Sequence, residues 1–182
     1  MMKKAYVFLA TGFEEIEAIG TIDVLRRGNI ETISVSITGE YNVTGAHGIV
    51  VKADILFNDA DFSDADALVL PGGMPGSNNL NDFSPLKEQL VSQYNKGKLV
   101  AAICAAPLVL GGLGLLEGKK ATCYPSFEPT LTGATATGEA TETDGNVITG
   151  KGPGLVFDFA LAIISKLNSP QIAAETAEGL LI

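Results

Sequence analysis

The sequence predicts one α/β domain over residues 1–182, with a mainly parallel central sheet and helices on both of its faces. Three observations predict it. Short, continuous apolar runs at residues 5–10, 67–70 and 99–103 read as strands covered on both sides, as a parallel sheet requires. Stretches with helical spacing, or with helix-start and helix-stop residues, alternate with them. The 21 glycines among 182 residues exceed the ordinary ~7%, so many tight turns and close backbone approaches are expected. A chain of this length fits one domain of roughly 150 residues. It buries enough surface to fold without a disulfide or metal staple.

Residues 5–10 form the first strand. Residues 14–27 follow as a helix. Ile16, Ile19, Ile22 and Leu25 recur near helical spacing, acids stand at its start, Arg26 and Arg27 at its end, and Gly28 just beyond. Residues 30–37 alternate and are β-branched, a second strand. Residues 43–51 read as a hairpin around 45–48, and 58–66 as an acidic loop before the strand at 67–70. Pro71, Gly72 and Gly73 end that strand, and residues 74–79 read as a lip over a pocket. Ser84 and Pro85 open a helix reaching about residue 95, with Ser84 as N-cap and Pro85 as first helical residue. Residues 99–116 carry no charge and reach the minimum length of a membrane span. Pro107, Gly111, Gly112 and Gly114 instead divide them into a buried strand, a sharp turn and a short helix. Residues 120–123 read as a short strand, 139–149 as a hairpin turning at Asp144 and Gly145, and 155–167 as a strongly apolar helix. Ser169 and Pro170 start the last helix.

Composition narrows the function. Twelve Lys and Arg against 21 Asp and Glu give a net charge of −9, which makes nucleic acid and anionic membranes poor partners. Two cysteines, Cys104 and Cys123, and a single histidine, His47, are too few for a disulfide framework or a Cys/His zinc site, so no metal is expected. The expected compartment is a reducing cytoplasm. The first apolar run is too short for a secretory signal, and Glu14, Glu15 and Glu17 follow it at once.

Ligands of an open parallel sheet bind beyond the carboxyl ends of its strands. The sequence places acids (Glu14, Glu15, Glu17), a glycine pair with unobstructed N–H groups (Gly72, Gly73) and a thiol (Cys104) at three such ends. Cys104 stands between a buried strand and a helix start among small residues, like the strand–turn–helix elbow that exposes a nucleophile. A helix N-terminus is expected to lower its pKa toward the thiolate, and a carboxyl beside a thiolate should have a raised pKa. A buried structural cysteine is the alternative. For the glutamates, the alternative is charge that complements a first helical turn. Cys123 reads as a packed strand thiol. Gly150, Gly152 and Gly154 read as a helix-start turn, since their spacing misses a dinucleotide loop, and no cofactor is expected.

Ala102, Ile103, Cys104, Ala105, Ala106 and Pro107, with Leu70 to Gly73 before them and Gly12 to Glu17 near the start, resemble the ThiJ/PfpI superfamily. The branch they look like is that of the parkinsonism-associated protein deglycase and its bacterial relatives. Asp23 to Arg27, Gly152 to Gly154 and Phe157 to Ala162 resemble it too. The resemblance implies a flavodoxin-like α/β sandwich and a homodimer. It implies that Cys104 is the reactive thiol, that Glu17 rather than Glu14 or Glu15 is its carboxyl partner, and that the Gly73 and Ala105 N–H groups are oxyanion donors. Gly72, Tyr124 and His47 would line the pocket. The implied activity is detoxification of small reactive aldehydes, glyoxalase- or deglycase-like, acting as a hydro-lyase or hydrolase on a small aldehyde or a glycated protein without glutathione, metal or cofactor. The alternative is a non-catalytic oxidative-stress sensor or redox chaperone in which Cys104 becomes a sulfinic acid. Three departures stand out. Tyr124 occupies the place where glyoxalase-active relatives often carry a histidine. Ala105 replaces the histidine that the protease branch needs. His47 stands where relatives often place an arginine that approaches the partner subunit's pocket, so it either lines a neighbour's site or is a solvated hairpin residue.

Overall fold

A computed structural model describes residues 2–182. Its strands are β1 (Lys3–Leu9), β2 (Ile30–Ser36), β3 (Asn42–Thr44), β4 (Val50–Lys52), β5 (Ile55–Leu56), β6 (Ala67–Leu70), β7 (Leu99–Ile103), β8 (Lys120–Ala121), β9 (Thr135–Ala136), β10 (Thr141–Asp144) and β11 (Val147–Gly150). Its helices are α1 (Glu15–Arg27), α2 (Gly76–Asp82), α3 (Ser84–Asn95), α4 (Pro107–Gly112), α5 (Val156–Leu167) and α6 (Pro170–Leu180). Seven strands form the central sheet in the order β10-β11-β7-β6-β1-β2-β5, parallel except where β10 returns against β11. The expected hairpin at 43–51 is the antiparallel pair β3–β4.

Alternation along each strand builds two cores. Tyr6, Phe8, Leu68, Leu70, Val100 and Ala102 face one side and pack with Leu80 of α2, Leu86 and Leu90 of α3, and Val109 and Leu110 of α4. Ala5, Val7, Ala67, Val69, Ala101 and Ile103 face the other and pack with Val24 and Leu25 of α1 and Phe159, Ile163 and Ile164 of α5. Both faces are covered, which is why β1 from Ala5 onward, β6 and β7 read as unbroken apolar runs. The sheet flanked by helices is the α/β architecture expected. Among the described residues no helix is long and apolar enough to cross a membrane.

Several local expectations change. Residues 74–79 are not simply a lip: from Gly76 onward they are helix α2. Ser84 is the first residue of α3 rather than its N-cap; Phe83 occupies that place, and no side chain caps the helix. The strand at 120–123 shrinks to Lys120–Ala121. Gly28 does not take the left-handed conformation of a helix stop; Asn29 does, at φ 59°. Gly28 is required instead by helix packing, since a Cβ there would lie 2.7 Å from Ile164 Cγ1 on α5. Ser169 does cap the last helix, accepting the Ile172 N–H at 3.2 Å.

Candidate active site

β7, β6 and β1 are neighbours at the centre of the sheet, so the loops leaving their carboxyl ends meet at one place. They bring Cys104 and Ala105, Gly72 and Gly73, and Glu14 to Glu17 together. Cys104 sits at φ 64°, a left-handed conformation that costs a non-glycine residue about 1–3 kcal/mol. Two bonds from other strand ends hold it there. Its N–H donates to Gly150 O at 2.9 Å, and its carbonyl accepts the Tyr124 N–H at 2.8 Å. The chain then turns into α4, whose first residue is Pro107. The expected elbow is present.

Glycine at position 72 is a packing requirement. A Cβ there would lie 2.6 Å from Cys104 Cβ and 2.7 Å from Glu17 Oε2. Gly72 lies beneath the thiol and the carboxyl and is buried, so it supports the pocket rather than lining it. Its N–H donates to Glu17 Oε2 at 2.7 Å.

The Glu17 side chain is fully buried, at 0% exposure. Its second oxygen, Oε1, has no conventional hydrogen-bond partner. The Cys104 thiol faces this carboxyl and favours its ionised form. Burial pushes Glu17 up to about 7, against the opposing pull of the Cys104 thiol and the Gly72 N–H. This agrees with the raised carboxyl expected. The thiol does not behave as expected from its helix start. Burial first, then the charge of Glu17, push Cys104 up to about 12, while the Gly73 and Ala105 N–H groups pull it down by less. The physical reason is that α4 is only six residues long and carries little dipole, whereas Cys104 is only 9% exposed and faces an anion. Cys104 and Glu17 titrate as a pair. The first proton leaves the pair near neutrality. The form left behind, with one proton between sulfur and carboxyl, is the one in which Glu17 can take the thiol proton as the sulfur attacks.

The buried carboxyl has a measurable cost. Glu17 is raised in the folded chain above its ordinary 4.5, so folding binds a proton and stability falls as pH climbs from about 4.5 through about 7. Glu17→Gln keeps the acceptor for Gly72 and removes the charge. Urea unfolding should show the variant more stable than wild type at pH 8 by up to about 3 kcal/mol, the free energy equivalent of the shift. The gap should close toward pH 5. Equal gaps at both pH values would mean that Glu17 is not ionising in the folded chain.

Around the thiol is a cavity of about 430 Å³, lined by Glu14, Ile16, His47, Gly73, Met74, Cys104, Ala105, Tyr124, Phe127 and Pro153. Gly73 and Ala105 therefore face the same space as the sulfur, with N–H groups directed at it. Tyr124 and Met74 form exposed walls. His47, placed by sequence either in a neighbour's site or in solvent, is a hairpin residue with its side chain 68% exposed, and it also lines this chain's own cavity. Cys123 is packed in the core, as expected, and burial pushes its thiol up to about 11.

Glu15 is what the sequence did not reveal. It reads as a dipole-complementing acid, yet it is only 4% exposed and reaches from α1 to the turn between β3 and β4. Oε1 accepts the His47 N–H at 2.7 Å and the Ile49 N–H at 3.4 Å, and Oε2 meets His47 Nδ1 at 2.9 Å. Gly45 makes room, since a Cβ there would run into the Glu15 carboxyl. Burial opposes ionisation of Glu15, but the hydrogen bonds from the His47 ring and from the His47 and Ile49 N–H groups outweigh it and hold the carboxyl below its ordinary value. Glu14, Glu15 and His47 are the one group among the described residues whose ligand atoms, within 4.8 Å of one another, could converge on a metal ion. Glu15 already spends both oxygens on the turn.

Residues 3–166 match the model of the DJ-1/PfpI family. Protein DJ-1 homolog B of Arabidopsis thaliana is 41% identical over 182 residues, covering 99% of this chain and 42% of the relative, so the chain spans less than half of that relative's length. The glutathione-independent glyoxalase DJR-1.2 of Caenorhabditis elegans is 34% identical over 160 residues, covering 87% of this chain and 84% of the relative. The crystal structure of Drosophila melanogaster DJ-1beta aligns with a TM-score of 0.94 at 38% identity, over 100% of this chain and 99% of that one.

Proposed function

The chain belongs to the DJ-1/PfpI family, and from that premise we propose that it detoxifies small reactive 2-oxoaldehydes such as methylglyoxal, converting them to 2-hydroxy acids through Cys104 and Glu17 without glutathione. The observation that carries this reading is the thiol held at φ 64° between a buried carboxyl and two backbone N–H groups, inside a cavity sized for a small molecule. Kinship to a glutathione-independent glyoxalase supports the substrate class.

The chemistry follows from the pair. Glu17 takes the thiol proton while the sulfur forms a bond to the aldehyde carbon. The carbonyl electrons move onto oxygen, where the Gly73 and Ala105 N–H groups receive the charge. Glu17 then gives the thiol proton to that oxygen, which completes the neutral hemithioacetal and frees the carboxylate to take the carbon-bound proton and return it to the neighbouring carbon, while the hydroxyl proton passes to the second oxygen. The resulting thioester is cleaved by water, giving lactate and the free thiol. No oxidant is consumed, since one carbon is oxidised as its neighbour is reduced. Action on glycated proteins, residence in a reducing cytoplasm and assembly as a homodimer belong to the same reading. Exposed Ile16 and Ile19 on α1 and Phe157 on α5 supply apolar surface for a second copy.

The test is direct. Purified chain with methylglyoxal and no thiol additive should form lactate, and protein quenched during turnover should carry the added mass on the peptide containing Cys104. Because the reactive form is the pair with one proton, kcat/KM should rise with pH around an apparent midpoint of about 7. No lactate at any pH would sink the proposal. A second reading is favoured by the same two N–H groups: they could equally hold the oxygens of a Cys104 sulfinate formed by two equivalents of peroxide. A gain of two oxygens on Cys104, in a protein that makes no lactate, would select it.

A further inference from the structure

We infer that His47, held by Glu15, is the proton carrier of the Cys104 cavity and does the work for which the Tyr124 phenol is unsuited. The inference rests on the proposed aldehyde chemistry.

Three observations place it. His47 and Cys104 line the same 430 Å³ cavity. Glu15 fixes the histidine twice, through its backbone N–H at 2.7 Å and its ring Nδ1 at 2.9 Å, so the imidazole is oriented by a carboxylate that is itself only 4% exposed. That is the logic of a base aligned by a buried acid, with the second ring nitrogen left for chemistry. Finally, His47 is the one imidazole on a cavity whose other polar side chains besides the thiol are Tyr124 and Glu14, and Glu14 itself faces the His47 ring at 3.6 Å. Tyr124 offers a phenol hydroxyl in place of an imidazole, and Glu17 is occupied with the thiol.

The charged groups facing His47 are Glu15 at 2.9 Å and Glu14 at 3.6 Å, both at the start of α1. The hydrogen bond to Glu15, then the charge of Glu14, raise the imidazole above its ordinary 6.5. The imidazolium is favoured by both and is lost as pH rises through the raised value.

The step it would serve is the movement of hydrogen within the hemithioacetal. As the carbon-bound proton leaves to Glu17 and the electron pair forms a carbon–carbon double bond, the imidazolium of His47 gives its proton to the neighbouring carbonyl oxygen. An enediol results. When Glu17 returns its proton to the second carbon, the hydroxyl on the sulfur-bearing carbon gives its proton back to His47, and the thioester carbonyl forms. Protons and charges balance, and both groups end as they began.

The test has two arms. His47 is the only histidine in the chain, so its NMR titration is unambiguous and needs no turnover. Carboxymethylation of Cys104 with iodoacetate places an anion in the shared cavity and should shift the His47 midpoint upward; Glu15→Gln should shift it downward. In the kinetic arm, His47→Gln should lower kcat for methylglyoxal about 10²-fold with little change in KM. It should remove an alkaline falling limb from the pH profile and leave the rising limb near 7. Imidazole added to His47→Ala should restore part of the rate. A His47 midpoint indifferent to Cys104 modification overturns the inference. So does a His47→Gln variant with the wild-type pH profile while wild type still makes lactate. Absence of lactate from wild type is a failure of the proposed activity instead, which the NMR arm does not depend on.

Discussion

Cys104→Ser is expected to lower kcat/KM for methylglyoxal by at least about 10³-fold, the scale seen when a nucleophile is removed from a site whose remaining parts act with it. The reason is the acidity of the pair. Glu17, raised to about 7, is a base of moderate strength. It can draw a proton from a thiol held among N–H donors, but a serine hydroxyl is a far weaker acid and a weaker nucleophile. The substitution keeps the side-chain size and a residue at φ 64°, so the backbone strain is conserved and the melting temperature should change little. Cys123→Ser is the matched control. Cys123 is buried in the core away from the cavity lining, so this variant should lose stability through a buried hydroxyl but retain turnover. Lactate formation by all three proteins, with thermal melts alongside, decides the matter. Turnover that survives Cys104→Ser would remove the sulfur from the mechanism.

How much of the fold and the site is legible in the sequence depends on whether the cause is local. β1 from Ala5 onward, β6 and β7 announce themselves because both of their faces are covered, so every position there is apolar. The Ser169 cap is visible because cap and helix are adjacent in sequence. The elbow at Cys104 is legible from strand, small residues and Pro107 together. Helix α2 is not, since Gly76, Ser77, Asn78 and Asn79 are poor helix formers. Tertiary bonds hold it: the Gly76 N–H donates to Gly12 O at 3.1 Å, and Asn79 Nδ2 donates to Thr11 O at 2.7 Å. β5 is two residues long and carries no period. The role of Glu15 lies 32 residues from its partner in sequence, and no spacing rule connects a helix start to a hairpin turn. The acidity of Cys104 departs from expectation for a related reason. A helix start is visible in sequence, but depth of burial and the distance to a carboxyl from another strand end are not.

Gly73→Ala is expected to cost at least about 3 kcal/mol, because it combines two penalties that glycine avoids. Gly73 has φ 90°, where any side chain is strained. A Cβ there would also strike the Glu14 backbone nitrogen and lie 2.6 Å from Gly12 O, rigid main-chain atoms that have no rotamer to yield. Gly39 separates the two penalties. It has φ 85°, but a Cβ there would meet nothing within 4 Å, so Gly39→Ala should cost only the conformational strain of about 1–2 kcal/mol. At roughly 2–4 °C per kcal/mol for a chain of this size, Gly73→Ala should melt about 6–12 °C below wild type, and Gly39→Ala a fraction of that. Activity should part them further. The Gly73 N–H faces the sulfur, and the adjoining Gly72 carbonyl accepts the Glu14 N–H at 2.9 Å. Pushing this turn away from residues 12–14 therefore opens the oxyanion donors and the start of α1 together. Gly39 lies after β2, outside the cavity lining, and Gly39→Ala should turn over like wild type. Equal melting losses for the two variants would show that the turn has room to move, and that backbone crowding is not what holds the N–H groups against the thiol.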